Sequence, residues 1–334
     1  MTPRDARDAA LEALLQMERR GAWSDGSLKR IAAQSGLEAR DAALCTRLTY
    51  GVVQNRGKLD FYLAQLLKGS LKKLHPAVRD ILHLGLYQIY ELDKIPDSAA
   101  VNESVRLARK YGPAGCDKLV NGVLRNAART RGTLKEPTSY EDKYSHPAEL
   151  VALLKTALPK GTLESVLKAD NEAPDTVIQV NTLKTDMGSL VKRLEAEGVQ
   201  SRPHCWMENC LVLSGTGSLE QLPSFREGFY YVQDPASRLS VLCAELKPGM
   251  AVLDCCAAPG GKSFAAAIAM AGTGSITSCD IYPHKAELIA AGAARLGFAN
   301  ITALCRDATQ EKPEWNGQFD AVLADVPCSG LGII

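Results

Sequence analysis

Several signatures that would assign a function quickly are missing from this sequence. Its ten cysteines include no C-x-x-C pair, so a zinc site or a redox dithiol is disfavoured and we predict no metal. Four of the cysteines fall in apolar runs, where cysteine behaves as a small buried hydrophobic residue; they are Cys243, Cys255, Cys279 and Cys305. Cysteine used in this way is typical of a reducing compartment.

Long apolar runs are missing as well. No stretch approaches the roughly 20 apolar residues that a membrane-spanning helix requires. The first eight residues, Met-Thr-Pro-Arg-Asp-Ala-Arg-Asp, are charged and lead into an amphipathic pattern, which does not resemble a signal peptide. We therefore expect no membrane partner and a cytoplasmic location.

Both common phosphate-binding fingerprints are absent. G-x-G-x-x-G does not occur, and the P-loop pattern fails because Cys256 stands where its first glycine would be. An ATPase or a dehydrogenase interpretation therefore loses its main support.

The net charge of +1 hides an asymmetry along the chain. Residues 1–135 carry 23 Lys and Arg against 14 Asp and Glu, whereas the remaining residues carry 16 against 24. A basic first half indicates a polyanionic partner such as nucleic acid, although a solvated surface alone also produces such a pattern.

A strand–turn–helix pattern is present at residues 251–263. A short apolar run ends in Asp254, a turn with Gly260 and Gly261 follows, and a helical pattern continues from Lys262. This layout places a ligand at a helix N-terminus, beyond the carboxyl end of a parallel strand.

The pattern continues with three more predicted strands, and each of the four ends near an aspartate: Asp254, Asp280, Asp307 and Asp325. Any one of them is equally well explained as a helix cap or a turn residue. Four aspartates in the same place relative to their strands favour a site at the carboxyl edge of a parallel sheet.

The rest of the chain divides into regions of different pattern. Residues 3–130 show helical periodicity broken by glycine and proline, which predicts a bundle of short helices. We place an all-α domain at 1–133, a linker at 134–148, a small α+β subdomain at 149–235 and an α/β domain at 236–334. Asp234 or Ser237 would cap a helix that follows a strand.

These motifs resemble the Nop/Sun family of S-adenosylmethionine-dependent RNA cytosine-C5 methyltransferases. The resemblance rests on Asp-Cys-Cys-Ala-Ala-Pro-Gly-Gly-Lys at 254–262, on Asp280 and Asp307, and on Asp-Val-Pro-Cys-Ser-Gly at 325–330. The helical region is similar to the RNA-binding factor NusB in Leu-Gly-Leu-Tyr-Gln-Ile at 84–89 and Ala-Val-Asn-Glu-Ser-Val at 100–105. This combination implies the bacterial group that acts on 16S ribosomal RNA.

The resemblance implies a fold and a cofactor. The fold is multidomain: a NusB-like all-α bundle, a small α+β RNA-docking subdomain, and a Rossmann-like methyltransferase domain that binds S-adenosylmethionine. By this resemblance Asp280 binds the ribose, Asp307 lies by the adenine, and Asp325 lies between cofactor and base. The methionine end of the cofactor is assigned to seven consecutive residues: Cys256, Ala257, Ala258, Pro259, Gly260, Gly261 and Lys262.

Cys328 and Asp325 are the predicted catalytic residues. C5 of cytosine is a poor nucleophile until a thiolate adds to C6, and cysteine suits this step because its thiolate forms near neutral pH and also leaves well. Methyltransferases that act on exocyclic amino groups carry an aromatic residue in the corresponding motif. Asp325-Val-Pro-Cys328 has none, which disfavours that reaction and favours methylation at C5. Cys328 as a small buried residue at a strand end is the alternative.

The resemblance also raises a question about the nucleophile. In the family, it comes from a Thr-Cys or Ser-Cys on the next strand, and the Pro-Cys cysteine assists release of the product. The sequence ends at Ile334 before such a strand, so we expect a chain truncated at its C-terminus, without its last strands, and inactive or nearly so.

Two other functions stay open at this point. A non-catalytic RNA-binding protein explains the charge asymmetry but not the aspartates and glycines, and a transfer RNA substrate fits the same chemistry. For the favoured function we expect a monomer whose partner is 16S ribosomal RNA before full subunit assembly.

Overall fold

The computed structural model of the protein describes residues 5–20, 28, 30–31, 34–172 and 174–328. The chain forms two compact units, Met1–Glu172 and Ala173–Ile334. The described part of the first unit is helical, and the two β-sheets belong to the second.

The first unit is a bundle of helices, as predicted. They are α1 (Ala6–Arg20), α2 (Ala39–Gln54), α3 (Arg56–Leu66), α4 (Pro76–Glu91), α5 (Asp97–Tyr111), α6 (Cys116–Arg129), α7 (Tyr140–Tyr144), α8 (Ala148–Ala157) and α9 (Leu163–Asp170). Helix α4 packs against α1, α2, α3, α5 and α6, so it forms the centre of the bundle.

The sequence of α4 explains its central position. Pro76 begins the helix, and the His75 ring accepts a hydrogen bond from the Ala77 amide at 3.3 Å. Apolar residues lie on every side of the helix, and Ile81, Leu82, Leu84, Leu86 and Ile89 are fully buried. Gly85 allows α5 and α6 to approach closely, because the Ser104 and Leu124 side chains occupy the space around its Cα.

Helices α7, α8 and α9 form a small cluster of their own in the first unit. Val151, Leu163 and Leu167 are buried in it, with Tyr144 packed alongside. Helix α7 lies inside the predicted linker, and α8 and α9 belong to the compact unit that precedes the strands. The boundary between the two compact units follows Glu172 and not residue 148, and the predicted domain boundaries stay predictions.

The small α+β part of the second unit contains an antiparallel sheet in the order β2–β3–β1–β4. Its elements are β1 (Thr176–Val180), α10 (Met187–Ala196), β2 (Gln200–Pro203), β3 (Cys210–Ser214), α11 (Pro223–Arg226) and β4 (Tyr230–Val232). Leu190 and Leu194 of α10 pack on one face of the sheet against Ile178 and Leu211. The α+β prediction is confirmed.

The remaining sheet is parallel, with the order β7–β6–β5–β8. The elements of this part of the chain are α12 (Pro235–Leu242), β5 (Ala251–Asp254), α13 (Gly261–Ala269), β6 (Ser275–Asp280), α14 (Pro283–Leu296), β7 (Ile301–Cys305) and β8 (Ala321–Leu323). Val252 and Ile276 are buried with Phe264 of α13 and Leu296 of α14. Strand–helix alternation with parallel pairing confirms the Rossmann-like class.

Polar contacts join the two sheets of the second unit. The Asn181 amide donates to the carbonyls of Gly228 and Leu296, both at 2.9 Å. Arg295 donates to the Phe225 carbonyl at 2.6 Å and to the Tyr230 carbonyl at 3.1 Å. Because these donors and acceptors are buried or half-buried, the small sheet is held in one position against α14.

The prediction that four cysteines are small buried residues is wrong for two of them. Cys279 is buried and Cys255 half-buried, whereas Cys243 and Cys305 are exposed. Cys243 is the C-terminal cap of α12, and Cys305 ends β7, which lies at an edge of the sheet. An apolar run in the sequence does not reveal that its strand lies at an edge.

The close packing at Gly85 leads to a stability prediction. Gly85→Ala adds a methyl group that overlaps the Leu124 side chain, so we expect the unfolding free energy to fall by about 1–3 kcal/mol despite the better helix propensity of alanine. Gly122→Ala on α6 is the control, because nothing lies within 4 Å of the added group and helix propensity alone acts. Chemical denaturation measures both, and a Gly85→Ala protein as stable as Gly122→Ala would contradict the packing.

Candidate active site

The parallel sheet brings the four predicted aspartates to one edge. Asp254 and Asp280 are the last residues of β5 and β6, while Asp307 and Asp325 follow β7 and β8 by two residues. Since all four strands are parallel, these carboxyl ends share an edge. The predicted meeting of the four aspartates at one edge of the sheet is therefore confirmed, and their roles in a site stay predictions.

The loop from Cys255 to Gly260 connects β5 to α13 at this edge. The Ala257 amide donates to the Cys279 carbonyl at 2.8 Å, which ties the loop to β6. The Ala258–Pro259 peptide bond is cis. Pro259 is exposed, and Cys256 and Ala258 are half-buried. The half-buried positions leave backbone at the loop within reach of a ligand.

Gly260 ends the loop in a conformation that L-residues rarely adopt, with φ +112°. A Cβ on Gly260 would overlap the ring of Phe264, which is buried in the core one turn into α13. The chain therefore reverses over an aromatic ring at this point, and only glycine fits. The first amides of α13 follow directly at Gly261 and Lys262, the arrangement that binds a ligand at a helix N-terminus.

Asp254 is buried and has a supporting role. Its Oδ2 accepts from the Ser263 hydroxyl at 2.7 Å, and the Ser263 and Ser278 oxygens lie 2.7 Å apart. Burial raises the pKa of Asp254 to about 6, opposed by the bond from Ser263. The carboxyl thus connects β5, α13 and β6 beneath the loop. The two serines were not predicted as site residues.

Asp280 and Asp307 have different surroundings. Asp280 is 7% exposed and accepts from the Tyr282 amide at 3.2 Å, with the Lys285 ammonium 3.9 Å away. Asp307 is half-buried and accepts from the amide and hydroxyl of Thr309 at 2.9 and 2.7 Å. The hydroxyl bond and then the amide bond hold the pKa of Asp307 below its usual range.

Lys262 connects residues 256–262, the cofactor loop that the family resemblance predicts, to the end of β8. Its ammonium donates to Asp325 Oδ2 at 2.6 Å and to the Ser237 hydroxyl at 2.9 Å. The Asp325 side chain is 59% exposed, so it faces the space where a substrate would lie. Cys328 is also exposed, and the interpretation of Cys328 as a small buried residue is therefore wrong. Residues 329–330 of the same motif lie outside the described residues.

Three further residues at this site come from the junction of β4 with α12 and from the first turn of α12. Asp234 caps α12, accepting from the Ala236 amide at 2.7 Å and the Ser237 amide at 3.4 Å, so the capping interpretation is confirmed. Ser237 also receives the Lys262 ammonium, and the buried Gln233 lies beside Gly261. Neither role is visible in the sequence, because more than 20 residues separate these partners along the chain.

The arrangement fits S-adenosylmethionine. This cofactor has no phosphate, and the lysine of the loop is already paired with Asp325. Gly260 and Gly261 leave open the space that Cβ atoms would fill, and a nearly buried carboxylate at the end of β6 suits ribose hydroxyls. A parallel sheet with this loop defines the class of Rossmann-like S-adenosylmethionine-dependent methyltransferases.

Comparison with known families defines the chain further. Residues 4–129 match the NusB family, residues 146–220 match the ferredoxin-like domain of RsmF/B-like methyltransferases, and residues 241–334 match 16S rRNA methyltransferase RsmB/F. The chain is 35% identical to the probable ribosomal RNA small subunit methyltransferase B of Bacillus subtilis, covering all of this chain and 76% of that protein. Identity to the Synechocystis protein of the same name is 34%, covering 98% and 75%. The chain belongs to the RsmB/F methyltransferase family.

Solved structures show the same fold. The crystal structure of PH0851 matches 97% of this chain and 76% of its own, with a TM-score of 0.75 and 23% identity. NSun6 from Pyrococcus horikoshii, crystallised with SFG, matches 56% of this chain and 73% of its own, with a TM-score of 0.51 and 19% identity. At these identities the match concerns the fold alone.

The described part of the chain has neither a membrane-spanning helix nor a group of metal ligands. None of its helices has the length and apolar character needed to cross a membrane. Within the same residues, no three or more His, Cys, Asp or Glu side chains are grouped as a metal ion would require.

The contact between Gly260 and Phe264 predicts a strong effect of a single methyl group. We expect Gly260→Ala to lower the melting temperature and to weaken S-adenosylhomocysteine binding at least about tenfold, because the loop must leave its position over the ring. Gly249→Ala is the control, since Gly249 also has positive φ but nothing within 4 Å of its Cα substituent position. Thermal melts and calorimetric titration measure both variants, and equal effects would show that backbone strain alone is responsible.

Asp254 predicts a pH-dependent stability. Its carboxyl ionises near 3.8 when unfolded and near 6 when folded, so between these values the folded state binds more protons and stability falls as pH rises. We expect Asp254→Asn to gain up to about 3 kcal/mol relative to the natural protein between pH 4 and 7. Urea denaturation across this range measures the difference.

Asp307→Asn provides the comparison for that experiment. Because the pKa of Asp307 is lowered from its ordinary value of 3.8, the group is ionised in both states above about pH 5, and we expect its stability difference to stay constant there. An Asp254→Asn curve parallel to that of Asp307→Asn would contradict a buried, reluctantly ionised Asp254.

Proposed function

We propose that this protein transfers a methyl group from S-adenosylmethionine to C5 of a cytosine in 16S ribosomal RNA. The observation that carries this proposal is the pairing of Lys262 in the cofactor loop with Asp325, three residues before the exposed Cys328. The ribosomal RNA small subunit methyltransferases B named among its relatives support the substrate class. We place the reaction in the cytoplasm, on RNA not yet fully assembled into the subunit, and the enzyme as a monomer.

The cofactor residues follow from the edge of the sheet. When bound, S-adenosylmethionine supplies an electrophilic methyl group on a sulfonium. We assign its methionine end to the loop from Cys256 to Lys262, its ribose to Asp280 and its adenine to Asp307. The nearly buried Asp280 supports its assignment, since a carboxylate with little water contact accepts strong hydrogen bonds from hydroxyl groups.

Asp325 and Cys328 act on the base in this proposal. In the family, the thiolate of a Thr-Cys or Ser-Cys motif adds to C6, which makes C5 enamine-like. C5 then takes the methyl group, a base removes the C5 proton, and the electron pair of the C6–S bond leaves with sulfur. The Lys262 ammonium holds the Asp325 carboxylate at 2.6 Å, where it can accept a hydrogen bond from the base. We assign Cys328 to release of the product, as in the family.

The basic cleft of the first unit supports an RNA partner. A cleft of about 930 Å³ between α5 and α6 is lined by Arg109, Lys118 and Arg125 together with Arg106 and Lys110. Arg106 and Lys110 pair with the buried carboxylate of Asp8 at 3.3 and 3.1 Å, so they also stabilise the bundle. Five cationic side chains and one carboxylate, Asp117, thus line the cleft, a charge balance that suits a contact with RNA phosphates.

We keep the four-part division of the chain as part of the proposal. A NusB-like domain at 1–133, a linker at 134–148, an RNA-docking subdomain at 149–235 and a methyltransferase domain at 236–334 agree in outline with the three family matches. The association of α8 and α9 with the first compact unit is the feature that this division does not explain.

A transfer assay tests the function directly. Methyl-labelled S-adenosylmethionine is incubated with the protein and with 16S or 23S ribosomal RNA, and the label is located by nucleoside analysis. We expect label at cytosine C5 in 16S RNA from a protein that also carries, on the strand after Asp325-Val-Pro-Cys328, the Thr-Cys or Ser-Cys motif that supplies the nucleophile in the family. Label on an exocyclic nitrogen, or RNA binding by a protein that does not bind the labelled donor, would refute the proposal.

Cys328 can be tested in the same assay. A serine at position 328 does not assist release of the methylated product from the covalent adduct. We therefore expect Cys328→Ser to lower turnover by a factor on the order of 100 or more, with donor binding unchanged and a covalent protein–RNA adduct visible on denaturing gels. Cys243→Ser, at an exposed cysteine of the same unit, is expected to behave like the natural protein. Loss of transfer without an adduct would instead identify Cys328 as the nucleophile.

A further inference from the structure

Gln233 is a buried polar residue whose side chain has no partner. The residue is 7% exposed, and neither Nε2 nor Oε1 forms a hydrogen bond within the described residues. Burying an amide without hydrogen bonds is unfavourable, so a glutamine kept in this state calls for an explanation.

The backbone of Gln233 is held firmly at the junction of β4 and α12. Its amide donates to the Val177 carbonyl at 3.2 Å, and its carbonyl accepts from the Gln179 side chain at 3.2 Å. Tyr231, two residues earlier, packs edge-on against Phe264, with ring centroids 5.7 Å apart. The start of the side chain is therefore fixed by the small sheet and by the core beneath the cofactor loop.

The amide of Gln233 lies against the first residue of α13. A Cβ built on Gly261 would lie 3.2 Å from Nε2 and 3.6 Å from Cδ of Gln233, which is tighter than ordinary contact. The absence of a side chain at Gly261 thus makes room for this amide at the N-terminus of the helix, in the loop that we assign to the methionine end of the cofactor.

We propose that Gln233 is a cofactor-binding residue that pairs with the amino-acid group of the methyl donor. An amide combines an acceptor, Oε1, with a donor, Nε2, and the amino-acid group combines an ammonium donor with a carboxylate acceptor. This complementarity matches the two unpartnered atoms of Gln233. The inference rests on the proposed function, since it assigns the donor to this loop.

Two ligands that differ only in the amino acid test the proposal. S-Adenosylhomocysteine has it, whereas 5′-deoxy-5′-methylthioadenosine keeps the adenosine and sulfur and lacks it. Titration calorimetry with the full 334-residue chain is expected to show that Gln233→Met weakens S-adenosylhomocysteine binding about tenfold or more and leaves methylthioadenosine binding within about twofold. Gln233→Glu keeps the acceptor but repels the carboxylate, so we expect the same selective loss.

Asn300→Leu is the matched control. Asn300 Oδ1 is likewise buried without a partner within the described residues. The residue directly precedes β7, so it lies at the amino ends of the strands, opposite the carboxyl ends where the aspartates meet. We expect this variant to bind both ligands as the natural protein does. Melting curves of all three variants show whether a change in affinity accompanies loss of folding.

The other possible outcomes overturn either this inference alone or the proposed function with it. Equal weakening of both ligands by folded Gln233 variants would mean that Gln233 shapes the loop and does not contact the amino acid. Unchanged binding of both ligands would also overturn the inference while leaving the proposed function intact. If the natural protein bound neither ligand, the proposed function itself would fail, and the inference with it.

Discussion

The site depends on one steric constraint, the contact between the backbone at Gly260 and the ring of Phe264. The ring belongs to the core of the parallel sheet, and the chain can reverse over it only where no Cβ is present. This reversal begins α13 directly after β5, so that the first amides of the helix face the edge where the strands end. The positions of Lys262 and its partners follow from it.

The second unit works as a single piece because its two sheets share contacts. Asn181 and Arg295 donate to carbonyls across the junction, and Tyr231 packs on the same Phe264 that supports the loop. The segment after β4 therefore delivers Gln233 and Ser237 to the cofactor loop. The small α+β sheet therefore has a fixed position relative to the loop between β5 and α13.

Two aspartates at the same sheet edge have pKa values shifted in opposite directions. Burial raises the pKa of Asp254 to about 6, whereas bonds from Thr309 lower that of Asp307. The difference arises from depth and not from residue type, since the charged form is penalised only where water is excluded. Asp254 can therefore support the loop, while Asp307 stays ionised and accessible to a ligand.

Much of the secondary structure, and the edge where the four aspartates meet, can be predicted from the sequence alone. The helices of residues 3–130 and the strand–turn–helix of residues 251–263 are predictable, because apolar periodicity and the glycines and prolines that interrupt it are local signals. The loop glycines and the aspartates at the strand ends were also found in this way, since each motif is contiguous.

Which side chains meet depends on how the elements pack in three dimensions. Ser237 with Lys262, Gln233 with Gly261, and Asp254 with Ser263 and Ser278 join residues from different elements. The exposure of Cys243 and Cys305 and the packing of α8 and α9 with the helical unit belong to the same category. The physical reason is that periodicity records which face of an element is apolar, whereas partners and depth depend on how the elements pack together.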